Sequence, residues 1–350
     1  MFSWGLLNFI IKISESNLNS MKDKIELFKR IFKRSIEINS NILILNNSSR
    51  FENQEQTKEA FSEKWKTWFI KSEDKDKKNL YDFQKRWYYE LYGFRGEKEF
   101  SKFLNSKKII FDAGCGLGYK AKWFADLSPN SLVIGMDISD SVLIAAKEYI
   151  DTKNLFFIKG DISDTFIKDN VIDYISCDQV LMHTENPELT LKELVRILKK
   201  GGQISFNVYA KKALPRELLD TYFRTIVKNI KYEDLWKMAE QLTKLGKILS
   251  DLKIKIDVPD IPLLGIKGGK YDLQRFIYWN FIKCFWNEEL GYYNSVLVNF
   301  DWYSPSNAKT YSENEFLKMV HDNNLKILHF HREEACYAGR FRKSSIPFTF

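Results

Sequence analysis

Cysteine is scarce in this chain of 350 residues, and its four cysteines stand far apart, at positions 115, 177, 284 and 336. None of them forms the Cys-x-x-Cys spacing that is typical of zinc modules and redox motifs. The pattern therefore indicates neither a zinc site nor a disulfide framework. Cysteines without a disulfide pattern are typical of a reducing compartment, so we predict a cytoplasmic protein.

Long apolar runs are also missing. Residues Met1 to Ile11 are largely apolar, but a helix needs about 20 apolar residues to span a bilayer. No basic stretch precedes this segment and no small-residue cleavage site follows it, so we predict no signal peptide. The segment is compatible with an amphipathic docking element, and we predict no membrane span anywhere in the chain.

The chain has no arginine-rich tract, although its 54 basic residues exceed its 46 acidic residues and give a net charge of +8. Such an excess permits an acidic partner, but here it is spread along the chain and does not favour nucleic acid. Aromatic residues make up 15% of the sequence and concentrate in 61–103 and 271–303. These segments could line a substrate pocket or form the core of a helical cap.

The most informative segment runs from Ile109 to Tyr119 and reads Ile-Ile-Phe-Asp-Ala-Gly-Cys-Gly-Leu-Gly-Tyr. An apolar strand, a tight turn with three alternating glycines and a helix from Tyr119 would let the backbone approach a nucleotide-like ligand closely. The glycine spacing differs from the Gly-x-Gly-x-x-Gly of dinucleotide-binding proteins. It resembles the Asp-x-Gly-x-Gly-x-Gly motif of the class I S-adenosylmethionine-dependent methyltransferases, which implies that this turn holds that cofactor.

Two further strands end in acidic positions. Leu132 to Met136 leads into Asp137, which would accept the ribose hydroxyls of the cofactor or simply cap the next helix, although Ser139 and Asp140 lie closer to that helix. Leu155 to Lys159 leads into Asp161 and Ile162. The resemblance implies that these two residues contact adenine, whereas an ordinary Gly-Asp turn is the alternative.

A fourth strand, from Asp173 to Asp178, leads into His183, and a helix is expected from Pro187 to Lys200 with Gly201 and Gly202 at its end. A strand over 203–209 follows. Alternating strands and helices predict an α/β fold with a Rossmann-like parallel sheet and ligands at its carboxyl edge. The C-terminal part predicts a helix over 312–323 and strands over 325–331 and 335–343, the antiparallel hairpin with which the family closes its sheet.

We predict four parts of the chain: an N-terminal helical extension (1–55), a cofactor-binding α/β domain (56–209) that starts with lid helices (56–103), an aromatic-rich helical cap insertion (210–305) and a C-terminal helix with a strand pair (306–350). The candidate lid aromatics are Trp65, Tyr81, Trp87 and Tyr88, because aromatic faces attract a sulfonium cation. Packing of the helices on the sheet explains each of them equally well. Arg86 and Arg95 are candidates to pair with the cofactor carboxylate, and Arg95 is preferred because it lies nearer the first strand.

The resemblance implies methyl transfer from S-adenosylmethionine, with S-adenosylhomocysteine as the product. His183 would act as a base toward the acceptor or play a structural role. The predicted cofactor-binding residues are Asp112, Gly114, Cys115, Gly116, Gly118, Tyr119, Asp137, Ile138, Asp161, Ile162, Asp178, Gln179, Arg95 and Trp87. The predicted substrate-binding residues are Tyr209, Asp301, Trp302 and Tyr303.

We expect a small-molecule acceptor that is methylated on oxygen, nitrogen or carbon. A peptide, protein or RNA acceptor is the alternative, and a non-catalytic S-adenosylmethionine-binding protein ranks last because both the glycine motif and Asp137 are intact. The sequence predicts no metal and leaves the oligomeric state open.

Overall fold

The computed structural model describes residues 15–45, 52–227 and 229–344. Within these residues the strands are β1 (Ile42–Ile44), β2 (Ile109–Ala113), β3 (Leu132–Asp137), β4 (Leu155–Lys159), β5 (Ile172–Cys177), β6 (Leu198–Ala210), β7 (Lys255–Val258), β8 (Gly269–Asp272), β9 (Thr310–Tyr311), β10 (Leu325–Arg332) and β11 (Cys336–Lys343). The helices are α1 (Glu15–Arg30), α2 (Glu52–Lys71), α3 (Asp74–Tyr92), α4 (Glu97–Asn105), α5 (Tyr119–Leu127), α6 (Ser141–Glu148), α7 (Pro187–Ile197), α8 (Leu214–Val227), α9 (Tyr232–Asp251), α10 (Leu273–Asn280), α11 (Gly291–Tyr303) and α12 (Glu313–Asp322).

The main sheet has the strand order β1-β4-β3-β2-β5-β6-β11-β10, with β9 paired to the end of β6. The pairs from β1 to β6 are parallel, whereas β11 runs antiparallel to both β6 and β10. This topology confirms the predicted α/β class, the Rossmann-like parallel sheet and the antiparallel C-terminal hairpin.

Helices cover both faces of the central strands, which is why these strands read as short continuous apolar runs. Ile109 and Phe111 pack into the core on one face with Phe28 from α1, while Ile110 packs into the core on the other face with Phe124 from α5. A third core lies among α2, α9 and α11 and includes large aromatic side chains such as Trp68, Trp236, Phe300 and Trp302.

Several element bounds differ from the expectations. The helix expected up to Lys200 ends at Ile197, because Leu198 is buried and already pairs with Ile172 of the neighbouring strand. Gly201, which was expected to end that helix, lies inside β6 with φ 74°. Sheet pairing therefore overrides the local helix-ending signal of the two glycines.

Four elements have no clear signal in the sequence: β1, β9, the β7–β8 hairpin and α11. The last of these is buried on most of its circumference, including Asn294, Leu297 and Phe300, so it lacks the one-sided apolar stripe by which helices are recognised. In the predicted cap insertion, α10 covers only Leu273–Asn280 of the aromatic-rich segment, and in the predicted N-terminal helical extension α1 ends at Arg30.

The division of the chain into four parts remains a prediction. Its N-terminal extension lies partly outside the described residues, and the apolar segment Met1 to Ile11 lies there entirely. In the part of the chain that the structure covers, no helix has both the length and the apolar character that crossing a bilayer requires.

Candidate active site

One cavity of about 470 Å³ lies at the carboxyl edge of the parallel strands and extends beneath the helices that follow β6. The loops that leave β2, β3, β4 and β5 form its floor. Of the predicted site residues, those that line it are Trp87, Gly114, Cys115, Gly116, Tyr119, Asp137, Ile138, Asp161, Ile162, Asp178, Gln179, His183, Tyr209, Asp301 and Trp302. The structure thus brings together residues from both predicted ligand sets, whereas Arg95, Asp112, Gly118 and Tyr303 do not line the cavity.

The glycine turn is shaped by close contacts and positive backbone angles. Gly118 begins α5 with φ 75°, and a Cβ atom there would lie 2.8 Å from side-chain atoms of Ala145 and Phe157. Gly116 has φ 54°, and a Cβ atom there would lie 3.1 Å from the indole nitrogen of Trp65. A larger residue at either position would therefore disturb the packing of the turn.

Asp137 links the end of β3 to the glycine turn. Its carboxylate accepts hydrogen bonds from the Gly116 backbone nitrogen (2.7 Å), the Ser139 backbone nitrogen (2.8 Å) and the Ser139 hydroxyl (2.6 Å). The following helix, α6, begins at Ser141, and Asp140 occupies its N-cap position. Asp137 is therefore not the N-cap residue of α6, and ribose binding stays a prediction.

The loop after β4 carries the residues expected at adenine. Ile162 is buried and faces the cavity. Asp161 also lines the cavity, and its carboxylate accepts a hydrogen bond from the Ser163 backbone nitrogen at 2.8 Å. This local bond is the one that an ordinary Asx turn makes, so the adenine contact remains untested.

A buried ion pair lies below the glycine turn. The Lys120 ammonium is 2.7 Å from the Asp178 carboxylate, which also accepts a hydrogen bond from the Tyr92 hydroxyl at 2.7 Å. Gln179 follows with a φ of 64°, and its backbone nitrogen donates to the Asn207 side chain at 2.7 Å. These contacts hold the loop after β5 in place against the sheet.

Asp112 lies fully buried next to this pair, and neither of its carboxylate oxygens has a hydrogen-bond partner. Burial raises the pKa of Asp112 to about 6, although the nearby Lys120 ammonium opposes that rise. With Asp137 and Asp178, this part of the site holds three carboxylates against one ammonium. An excess of negative charge in a buried site favours a cationic ligand.

His183 is held by two hydrogen bonds in a buried position. Its Nδ1 lies 2.7 Å from the Asn307 backbone oxygen and its Nε2 lies 3.1 Å from the Tyr209 hydroxyl. A carbonyl oxygen can only accept, so Nδ1 carries the proton and Nε2 accepts from Tyr209. Burial lowers the pKa of His183 to about 4, so the imidazole is neutral near pH 7.

The four lid candidates have different surroundings. Trp65 and Trp87 line the cavity, and the Trp87 indole nitrogen donates to the Glu333 carboxylate at 3.2 Å. Tyr81 stacks on Tyr119 with a 4.2 Å separation of ring centroids. Tyr88 is buried in the core, away from the cavity. Its position therefore supports a role in packing the helix on the sheet and not a role as a lid residue.

The structure does not bring the expected arginine to the cavity. The Arg95 side chain is 91% exposed and pairs with Glu99 at 2.9 Å, because Gly93 ends α3 in a left-handed conformation and the chain turns away before α4. Arg86 pairs with Glu289 at the surface. The cations that do line the cavity are Lys64, Lys120, Lys212, Arg216, Arg275 and Lys283, none of which sequence reasoning identified.

Three of the predicted substrate residues end α11. The Asp301 carboxylate pairs with the Lys64 ammonium from α2 at 2.9 Å. The Trp302 indole lies 4.6 Å from the Tyr209 ring, measured between centroids. Tyr303 turns away from the cavity, and its hydroxyl accepts a hydrogen bond from the Lys283 backbone nitrogen at 3.1 Å.

Comparison with known proteins finds similar methyltransferases. Residues 111–206 match the family model described as a methyltransferase domain. An uncharacterized methyltransferase of Schizosaccharomyces pombe is 31% identical over 112 residues, which are 29% of this chain and 40% of that protein. Demethylmenaquinone methyltransferase of Lactococcus lactis is 29% identical over 161 residues, which are 41% of this chain and 62% of that enzyme. Both matches span less than two thirds of the relative's length.

Among solved structures, a protein of Pyrococcus horikoshii is 14% identical over 71% of this chain and 87% of its own, with a TM-score of 0.38. The match to the family model spans the glycine turn and the region from β2 to β6. Residues 111–206 are therefore similar to a methyltransferase domain, and the predicted resemblance to the class I methyltransferases is confirmed.

Proposed function

We propose that the protein transfers a methyl group from S-adenosylmethionine to a small-molecule acceptor. The observation that carries this proposal is a shared cavity, which joins the glycine turn and Asp137 on one side with Tyr209, Asp301 and Trp302 on the other. The helices after β6 bound the acceptor side, which favours a small molecule over a peptide or RNA. Cofactor and acceptor would thus meet in one partly enclosed space.

The residues at the sheet edge fit the cofactor. Asp137 and Ile138 would hold the ribose side, Asp161 and Ile162 the adenine side, and the glycine turn the remainder. When bound, S-adenosylmethionine supplies a methyl group on a cationic sulfonium and leaves as S-adenosylhomocysteine. The buried Asp112 carboxylate supports this fit, because it has no hydrogen-bond partner and Lys120 compensates only part of the negative charge beside the site.

We further propose that Tyr209 and His183 act together on the acceptor. The Tyr209 hydroxyl donates to His183 Nε2, so its oxygen remains able to accept a hydrogen bond from an acceptor hydroxyl or amine. Because burial keeps the His183 imidazole neutral, the pair would hold and orient the acceptor, and alignment of the acceptor would supply most of the rate.

Calorimetric titration with S-adenosylhomocysteine tests the cofactor site. We expect Asp137→Ala to weaken binding at least about tenfold, which corresponds to about 1.4 kcal/mol. Asp140→Ala is the matched control, because Asp140 is three residues away, exposed and paired with Lys159 at the surface. An intact chain that does not bind the cofactor product, or equal affinities of the intact chain and Asp137→Ala, would contradict the proposal.

A further inference from the structure

Positive charge gathers at the end of the cavity that is bounded by the insertion after β6. Lys212, Arg216, Arg275 and Lys283 all line this end, and we call them the cationic cluster. Lys212 and Arg216 stand at or just before the start of α8, whereas Arg275 lies in α10 and Lys283 follows it. Separate elements of the insertion therefore point basic side chains into one space.

Trp302 and Tyr278 show how closely these side chains approach each other. The charged groups of Lys283, Arg216 and Lys212 lie 4.4, 5.1 and 5.9 Å from the centroid of the Trp302 ring. Lys283, Arg216 and Arg275 also lie 5.1, 5.5 and 5.6 Å from the Tyr278 ring. The aromatic faces attract cations, but each such contact contributes only about 0.5–2 kcal/mol.

Carboxylates compensate only part of this charge. Arg216 pairs with Asp220 at 2.8 Å. The Lys283 ammonium instead donates to the Tyr278 hydroxyl at 3.0 Å, and the Lys212 ammonium donates to the backbone oxygens of Ala210 and Ala335. Among the described residues, we find no carboxylate in an ion pair with either lysine. Both lysine amino groups therefore hydrogen-bond to neutral partners alone.

Burial and mutual repulsion make this arrangement costly. Lys283 is only 6% exposed, and its pKa is lowered to about 7 by burial and by the neighbouring Arg216. The pKa of Lys212 is lowered to about 7 by burial and by Arg216 and Lys283. An anion bound among these groups would favour their charged forms.

We propose that the cationic cluster binds an anionic group, a phosphate or a carboxylate, carried by the methyl acceptor. This inference rests on the proposed function. Trp302 connects the cluster to the rest of the site, because its ring also packs on Tyr209, which contacts His183. An acceptor anchored at the cluster would thus extend its methylated atom toward the Tyr209 hydroxyl and the glycine turn.

Thermal unfolding of the full chain with inorganic phosphate, with acetate and with chloride at equal ionic strength tests this inference. Each titration is run with and without S-adenosylhomocysteine, whose affinity is measured separately by calorimetry. We expect phosphate or acetate to raise the unfolding temperature of the intact chain above its value in chloride, because a ligand that binds only the folded state stabilises it. A rise in phosphate alone indicates a phosphate group on the acceptor, and a rise in acetate alone indicates a carboxylate.

Lys283→Met and Lys212→Met should lose this anion effect and keep their affinity for S-adenosylhomocysteine within about threefold, a difference of less than about 0.7 kcal/mol. Lys211→Met is the matched control and should keep both properties, since Lys211 is exposed and pairs with Glu315. Arg275→Gln is a second variant if a lysine variant does not fold, because Arg275 is only partly buried.

Three results would overturn the inference: no anion stabilises the intact chain beyond chloride, the lysine variants respond like the intact chain, or they lose S-adenosylhomocysteine affinity. In the last case the cluster would hold the cofactor carboxylate. If the intact chain fails to bind S-adenosylhomocysteine but shows a phosphate effect that Lys283→Met abolishes, the methyltransferase proposal fails and the anion site stands.

Discussion

Replacing Asp112 by asparagine should make the protein more stable at neutral pH. Asp112 is fully buried, its carboxylate has no hydrogen-bond partner, and burial raises its pKa to about 6 from the ordinary value of 3.8. An acid whose pKa is raised in the folded state contributes stability below its unfolded pKa. That contribution disappears as the pH rises through the folded pKa.

The two pKa values give the size of the effect. A shift of about two units corresponds to about 3 kcal/mol of stability lost between low and high pH. About 2 kcal/mol of this loss falls between about pH 4.5 and about pH 8. Asparagine has nearly the same shape and cannot ionise, so Asp112→Asn should be free of this loss. The stability difference between variant and intact chain should therefore grow with pH by about 2 kcal/mol.

Urea unfolding of both proteins at a series of pH values measures this difference, and other titrating groups cancel because both chains share them. Asp173→Asn is a suitable control in the neighbouring strand. Its carboxylate accepts hydrogen bonds from the backbone nitrogens of Lys108 and Ile109 and pairs with Lys199 at 2.7 Å. That control should lose stability at pH 8. Parallel pH curves for Asp112→Asn and the intact chain would refute the argument that an uncompensated buried charge lies at Asp112.

Two further predictions concern the glycine turn and the ion pair below it. Lys120→Met leaves the buried Asp178 without its ammonium partner and should lower the free energy of unfolding by about 3–5 kcal/mol. Lys122→Met removes an exposed ion pair from the same helix and should lower it by only about 0–1 kcal/mol. Equal losses of the two variants in urea unfolding would contradict this prediction. Gly118→Ala places a Cβ atom in a crowded position with a positive φ and should lower the free energy of unfolding by at least about 2 kcal/mol. Gly201 has a similar φ but open space around it, so Gly201→Ala should lower the free energy of unfolding by about 1 kcal/mol. A Gly118→Ala variant as stable as Gly201→Ala in thermal unfolding would show that the turn tolerates a side chain.

The sheet and the cofactor side could be predicted from the sequence because their signals are local. A buried parallel strand appears as an apolar run, and the residue that follows it lies at the carboxyl edge whatever the rest of the chain does. For this reason Asp137, Asp161 and Asp178 were correctly expected at one edge. The C-terminal hairpin was equally clear, since two alternating strands flank the short turn at Glu333 and Glu334.

The acceptor side could not be predicted because it depends on contacts between distant segments. Lys212 and Lys283 stand 71 positions apart, and neither belongs to a motif. They meet only because α8 and α10 pack in the same part of the structure. Arg95 is the opposite case, a residue that a local signal placed wrongly. It is close to the first strand in sequence, which suggested a role at the cofactor, but the turn at Gly93 directs its side chain into solvent.

The side chains at the two ends of the cavity carry charges of opposite sign, and this difference affects how the proposed reaction would be accelerated. Asp137 and Asp178 line the proposed cofactor side and Asp112 is buried close to Asp178, whereas Lys212 and Lys283 line the proposed acceptor side. A methyl donor loses its positive charge as the methyl group leaves, so the carboxylates would stabilise the bound donor more than the transition state. Only interactions that strengthen in the transition state accelerate the chemical step. Opposite charges at the two ends would instead bind a cationic donor at one end and an anionic acceptor at the other, with the reacting atoms near Tyr209. The acceleration would then come from the alignment of donor and acceptor.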